Sequence, residues 1–150
     1  MKNFTHWPPG LPPHLELPQT ALHCNLEVVA TRYPQRAAIA YCGNLVSYAD
    51  LKRQVDALAG QLRTVCGVTR GDFVAIFMQN SPQFIVAFYA ILCADAVVML
   101  INTMNLLDEV RHVIDDSSSK VAIFGQELAP NIIPLLGGTI EHAINACYSD

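Results

Sequence analysis

The sequence predicts an α/β domain: a mostly parallel sheet with helices on both faces, preceded by a short hairpin. Three observations predict it. From Ser47 to Phe124, helical and strand-like segments alternate three times over, an order that short loops turn into parallel strands joined by crossover helices. The strand-like runs are continuously apolar rather than alternating, as in strands covered on both faces. Of the 150 residues, 52% are hydrophobic and 15% charged, which suits a core and is too apolar for a disordered chain.

Each element has its own signals. Met1 to Pro18 contains five prolines and reads as an irregular arm, extended around Pro8-Pro9 and Pro12-Pro13. The division expected is an arm over 1–19 and an α/β domain over 20–150. Leu22, Leu26, Val29, Ala30 and Tyr33 recur at helical spacing, which predicts an amphipathic first helix ended by Pro34. Ala37–Cys42 and Leu45–Tyr48 read as two strands around a Gly43-Asn44 turn. Ser47-x-x-Asp50 resembles a capping box opening a helix with Leu51, Val55, Leu58, Ala59 and Leu62 on one face. Gly67 suits its C-terminal cap.

Phe73–Met78 is expected as a strand buried on both faces. Ser81-Pro82 supplies an N-cap and a first-turn proline for a helix, Phe84 to about Cys93, that is apolar all round. Ala96–Ile101 reads as a second buried strand. A helix capped near Asn105 follows, with Leu106, Leu107, Val110, Val113 and Ile114 inward. Asp108 and Glu109 fall in its first turn, where the helix dipole favours acids. Lys120–Phe124 reads as a strand, Glu127–Leu136 as a weak helix broken by Pro130 and Pro134, and Thr139–Tyr148 as one more strand.

Charge and cysteine usage exclude several classes. The formal net charge is −4, from nine basic and thirteen acidic residues. No basic stripe with interleaved aromatics exists, so nucleic acid is not an expected partner. The five cysteines form no CxxC pair and fit a reducing, cytoplasmic location better than a disulfide framework. The N-terminus lacks the apolar core of a signal peptide. Phe84–Ile101 is long enough for a membrane span. However, Asp95 interrupts it, no Lys or Arg flanks it, and its character changes at Cys93-Ala94-Asp95. A buried helix followed by a strand is the better reading.

No motif announces chemistry. The five histidines never pair at metal-ligand spacing, so no metal site is expected. Gly137-Gly138-Thr139 lacks the phosphate-loop pattern and reads as a turn. Ser117-Ser118-Ser119-Lys120 has hydroxyls and a cation but no glycine, and reads as a solvated turn. Asp115-Asp116 would oppose the dipole at a helix end; an already ended helix is the simpler reading. Asp108 and Glu109 diverge by about 100° as helix neighbours and make no acid/base pair. No GxSxG elbow occurs, and Cys66 has no nearby base. These readings assign no catalytic, cofactor-binding or metal residue.

The order of small signatures from Leu22 to Ala129 is more specific than any one of them. Asn25-Leu26, Tyr33-Pro34 and Ala37-Ala38-Ile39-Ala40 are followed by Leu45-Val46-Ser47-Tyr48-Ala49-Asp50-Leu51. Gly67-Val68, Arg70-Gly71-Asp72-Phe73-Val74-Ala75-Ile76 and Asn80-Ser81-Pro82-Gln83-Phe84 come next. Tyr89-Ala90-Ile91-Leu92 leads to Asn102-x-Met104-Asn105 with Glu109. This series resembles the N-terminal region of adenylate-forming enzymes, closest to the fatty acyl-CoA synthetases. Asp95 departs from the glycine usual there, and aspartate tolerates a left-handed backbone better than most residues. Leu100 and Thr103 stand where proline is common.

The resemblance implies the first part of an acid-thiol ligase. Such enzymes join a carboxylate to ATP as an acyl-adenylate, and coenzyme A then displaces AMP, with Mg2+ supporting the first step. A fatty or other carboxylic acid is the implied substrate. The family's Ser/Thr/Gly phosphate loop, adenine-binding motifs and C-terminal lysine are absent before Asp150. The expectation is therefore a partial domain whose downstream half is its missing partner. It is expected to be inactive alone, to hold no cofactor tightly, and to expose apolar surface where that half would pack. The alternatives are a free-standing α/β binding or interaction module and a membrane-anchored protein using Phe84–Ile101. No transmembrane segment is expected, while peripheral membrane contact stays open.

Overall fold

The computed structural model describes residues 7–12, 14 and 17–148. The arm predicted over 1–19 lies partly outside them, and its described residues form neither helix nor strand. Helix α1 spans Cys24–Arg32. Strands β1, Ala37–Tyr41, and β2, Asn44–Ser47, form an antiparallel pair. Then follow α2, Tyr48–Thr64, β3, Phe73–Phe77, α3, Pro82–Cys93, β4, Val97–Leu100, α4, Leu107–Ser117, and β5, Val121–Gly125. Short helical pieces cover 126–135, with α5 at Ala129–Ile132, and β6 is His142–Ala146. The four-stranded sheet is wholly parallel in the order β4-β3-β5-β6.

The sheet separates two cores, and the period of two in its strands decides which residue joins which. Val74 and Ile76 of β3 and Val121 and Ile123 of β5 pack beneath α2 and α3. Ala75, Phe77, Ala122 and Phe124 pack on the other face beneath α4 and α5. A strand that serves both faces must be apolar at every position, so β3 and β5 show no alternation. Helix α2 buries Leu51, Val55, Ala59 and Leu62, the stripe its spacing predicts.

Local signals mostly act as expected. The Ser81 hydroxyl accepts the Phe84 N–H at 3.2 Å, with Pro82 in the first turn of α3. The Ser47 hydroxyl accepts the Asp50 N–H at 3.1 Å. Asp50 returns only a side-chain contact, taking the Ser47 hydroxyl proton at 2.7 Å and Arg53 at 2.9 Å, because its carboxylate is one methylene short of the usual Glu. Beyond α2, Gly67 adopts φ +65°, which lets the Val68 N–H reach the Leu62 carbonyl at 2.9 Å. The stretch weighed as a membrane span is divided: α3 ends at Cys93, and Asp95 turns the chain into β4 with φ +59°. Among the described residues no helix is long and apolar enough to cross a membrane.

Several expectations need correction. The hairpin turns at Cys42-Gly43, with φ +47° and +84°, and Asn44 already pairs with Tyr41. Positive φ at both central positions is what the tight hairpin turn demands. Leu22 precedes α1 and is exposed. Strand β4 is an edge strand rather than a buried one, with Val97 and Leu100 exposed. Leu106 is not inward but forms the exposed N-cap of α4, its N–H held by the Glu109 carboxylate at 2.8 Å.

Candidate functional site

In an open parallel sheet, the crevice for a ligand lies outside the carboxyl ends of the strands where the winding reverses. Here the chain passes from β3 outward to β4, then returns across to β5, so the reversal falls between β3 and β5. Beyond β3 come Gln79, Asn80 and the Ser81 cap of α3; beyond β5 come Gln126 and Glu127. The residues that follow β6, Cys147 and Tyr148, reach into this crevice.

Four hydrogen bonds hold them there. The Tyr148 hydroxyl accepts the Gln79 N–H at 3.0 Å and donates to Glu127 Oε1 at 3.1 Å. Gln83 Nε2 donates to the Cys147 carbonyl at 2.8 Å. The Cys147 thiol donates to Gln126 Oε1 at 3.1 Å. Gly125 is the floor: a Cβ placed on it would lie 2.1 Å from the Tyr148 hydroxyl and 2.8 Å from each Glu127 carboxylate oxygen. Burial raises the Tyr148 pKa, and Glu127 adds to the rise against the opposing Gln79 N–H.

Beside this point a cleft of about 270 Å³ opens between the hairpin and the start of α3. Asn44, Gln54, Gln83, Tyr41 and Tyr148 line it, so its polar groups are neutral. The Gln83 side-chain oxygen is buried without a hydrogen-bond partner.

The amino-terminal ends of the strands carry a second cleft, of about 290 Å³, lined by Gly71, Asp72, Ser118 and Lys120 among others. Its charges are engaged. Asp72 takes the Thr69 N–H at 2.7 Å and its hydroxyl at 2.9 Å, which lowers its pKa. Lys120 pairs with Glu141 at 2.9 Å, which raises its own.

The Ser117–Lys120 segment is a structural turn, although not a solvated one throughout. Ser117 donates to the Val113 carbonyl at 2.8 Å. Ser118 caps α4 with φ +53°. Ser119 is fully buried and donates to the Phe73 carbonyl at 2.9 Å. Asp115 and Asp116 lie inside α4 rather than beyond it. Asp115 offsets its unfavourable dipole position by accepting the Thr139 hydroxyl, which ties down the Gly137-Gly138 turn.

No group of three or more potential metal ligands gathers among the described residues. The sequence assigns no catalytic residue. The set at the crevice, Gln79, Gly125, Glu127 and Tyr148, also carried no motif. Its one sequence signal is position, immediately after predicted parallel strands.

A family model described as AMP-binding enzyme matches residues 26–147, and the chain belongs to that family. Its fold is that of the N-terminal domain of adenylate-forming enzymes. It is 29% identical over 132 residues to a long-chain-fatty-acid–CoA ligase of Bacillus subtilis, a match covering 88% of this chain and 23% of that protein. It is 40% identical over 82 residues to the long-chain-fatty-acid–CoA ligase FadD13 of Mycobacterium tuberculosis, covering 53% of this chain and 16% of that one.

Among solved structures, a Mycobacterium tuberculosis fatty acyl CoA synthetase aligns with a TM-score of 0.76 at 31% identity, over 84% of this chain and 26% of that one. The N-terminal domain of FACL13 from the same organism aligns with a TM-score of 0.78 at 30% identity, over 85% and 34%. The chain thus spans about a fifth of the length of the curated relatives.

Proposed function

We propose that this chain is the N-terminal portion of an ATP-dependent acyl-CoA ligase acting on a fatty acid, and that alone it is inactive. The family match over 26–147, with relatives named as long-chain-fatty-acid–CoA ligases, carries the reading. AMP-binding enzymes in general use ATP, Mg2+ and coenzyme A; ATP makes the carboxylate reactive as an acyl-adenylate, and Mg2+ neutralises phosphate charge. The residues lining the carboxyl-end cleft do not fit a triphosphate. They are neutral amides and tyrosines beside a glutamate, and they supply no Lys or Arg. No chemical step is therefore assigned to these side chains.

A cytoplasmic location belongs to the same proposal, supported by five cysteines that are all free thiols. A second reading, an α/β interaction module without catalysis, draws on one observation: Tyr148 already fills the crevice.

ATP–pyrophosphate exchange with a long-chain fatty acid separates the two. The 150-residue chain alone should show none. A chimera in which it replaces the matching segment of the Mycobacterium tuberculosis synthetase should exchange. A folded chimera without exchange would defeat the ligase reading and favour the module.

A further inference from the structure

We propose that Gln79, Gly125 and Glu127 form a seat for an aromatic alcohol, filled in this chain by its own Tyr148, and that a free phenol binds there once that ring is removed. The proposal goes beyond the ligase reading and does not depend on it.

The seat presents one donor and one acceptor to the same atom. The Gln79 N–H points at the Tyr148 oxygen at 3.0 Å, and Glu127 Oε1 receives its proton at 3.1 Å. A hydroxyl is the simple group that satisfies both at once. A carbonyl would accept from Gln79 but turn a lone pair toward the carboxylate, and an ammonium would pair with Glu127 but oppose the N–H.

Shape agrees with chemistry. Gly125 leaves the space that the hydroxyl occupies, since a Cβ there would push aside the ends of the Tyr148 and Glu127 side chains. Gly125 itself is buried, at the end of the central strand β5. Tyr148 is only half-buried, so its ring leads from the seat toward the surface. The seat also sits at the winding reversal, where parallel sheets bind ligands.

The test uses the 150-residue chain with p-cresol and toluene as probes. Tyr148→Ala removes the resident ring. Millimolar p-cresol should raise the melting temperature of Y148A and leave that of the parent unchanged. Toluene, lacking the hydroxyl and so both of its hydrogen bonds, should bind at least about fivefold more weakly, the loss expected if the two exposed bonds together contribute about 1 kcal/mol. Adding Gly125→Ala to Y148A should abolish the p-cresol effect. Equal binding of toluene, or p-cresol binding that survives G125A, would overturn the proposal, as would no p-cresol binding to folded Y148A. Should Y148A not fold, Tyr148→Phe keeps the ring and removes only the hydroxyl. Amide exchange at Gln79 should then accelerate severalfold, and unchanged protection would refute the seat.

Discussion

Replacing Ser119 by alanine removes one hydroxyl from the turn between α4 and β5. That hydroxyl is fully buried, donates to the Phe73 carbonyl at 2.9 Å and lies 3.1 Å from the Val121 carbonyl. It fastens the start of β5 to the start of β3, 46 residues earlier in the chain. Losing a buried hydrogen bond costs about 1–3 kcal/mol when the partner is left without its donor. With a urea dependence of about 1–3 kcal/mol per molar, Ser119→Ala should lower the unfolding midpoint by about 1 M with its slope unchanged.

The adjacent Ser118 provides a control of opposite sign. It is exposed and left-handed at φ +53°. Ser118→Gly removes a left-handed cost of about 1–2 kcal/mol while loosening the unfolded chain by about 0.4–1 kcal/mol. Its midpoint should stay level or rise. A solvated turn would give Ser119→Ala a change within about 0.5 kcal/mol, as for ordinary surface positions. That result would refute the buried anchor.

Two further predictions concern single acids. Asp95 holds φ +59° at an exposed position, so Asp95→Gly should raise the urea midpoint by the equivalent of up to about 1 kcal/mol; a clear loss would show that its side chain, not its backbone, matters. Thr69 lowers the Asp72 pKa below 3.8, first through its N–H and then through its hydroxyl, so this contribution to stability is present above the ordinary carboxylate value and is lost as pH falls through the folded one. Asp72→Asn should therefore flatten the acid limb of the stability profile below about pH 4, and an unchanged limb would contradict the assignment.

What the sequence makes legible is what short-range chemistry decides. The stripe on α2, the Ser81-Pro82 start of α3 and the apolar runs of β3 and β5 all follow from neighbours within a few residues. Lateral position does not. The residues of β4 are as apolar as those of β3, yet β4 lies at the sheet edge, because strand order is set by where later strands insert. Gly43 marks the hairpin, but the turn's other member is fixed by cross-strand pairing of Tyr41 with Asn44. Ser119 looks like a solvated turn residue until β3 covers it. Tyr148 meets Gln79 across 69 positions, a separation at which no periodicity or motif carries a signal.

The polar groups divide between the two ends of the sheet. At the amino-terminal end they close on backbone and on one another: Ser119 on Phe73, Asp72 on Thr69, Lys120 on Glu141, Thr139 on Asp115. These contacts tie loops and elements together and leave little to offer a ligand. At the carboxyl-terminal end the Gln83 oxygen remains unpartnered, and the exposed Gln79 N–H and Glu127 carboxylate share the hydroxyl of a tyrosine from beyond the last strand. Exposed Leu100 ends β4, and exposed Met104 and Leu106 follow it. The end with groups left to offer is therefore the one where an open α/β sheet places its ligands, and Tyr148 stands at its centre.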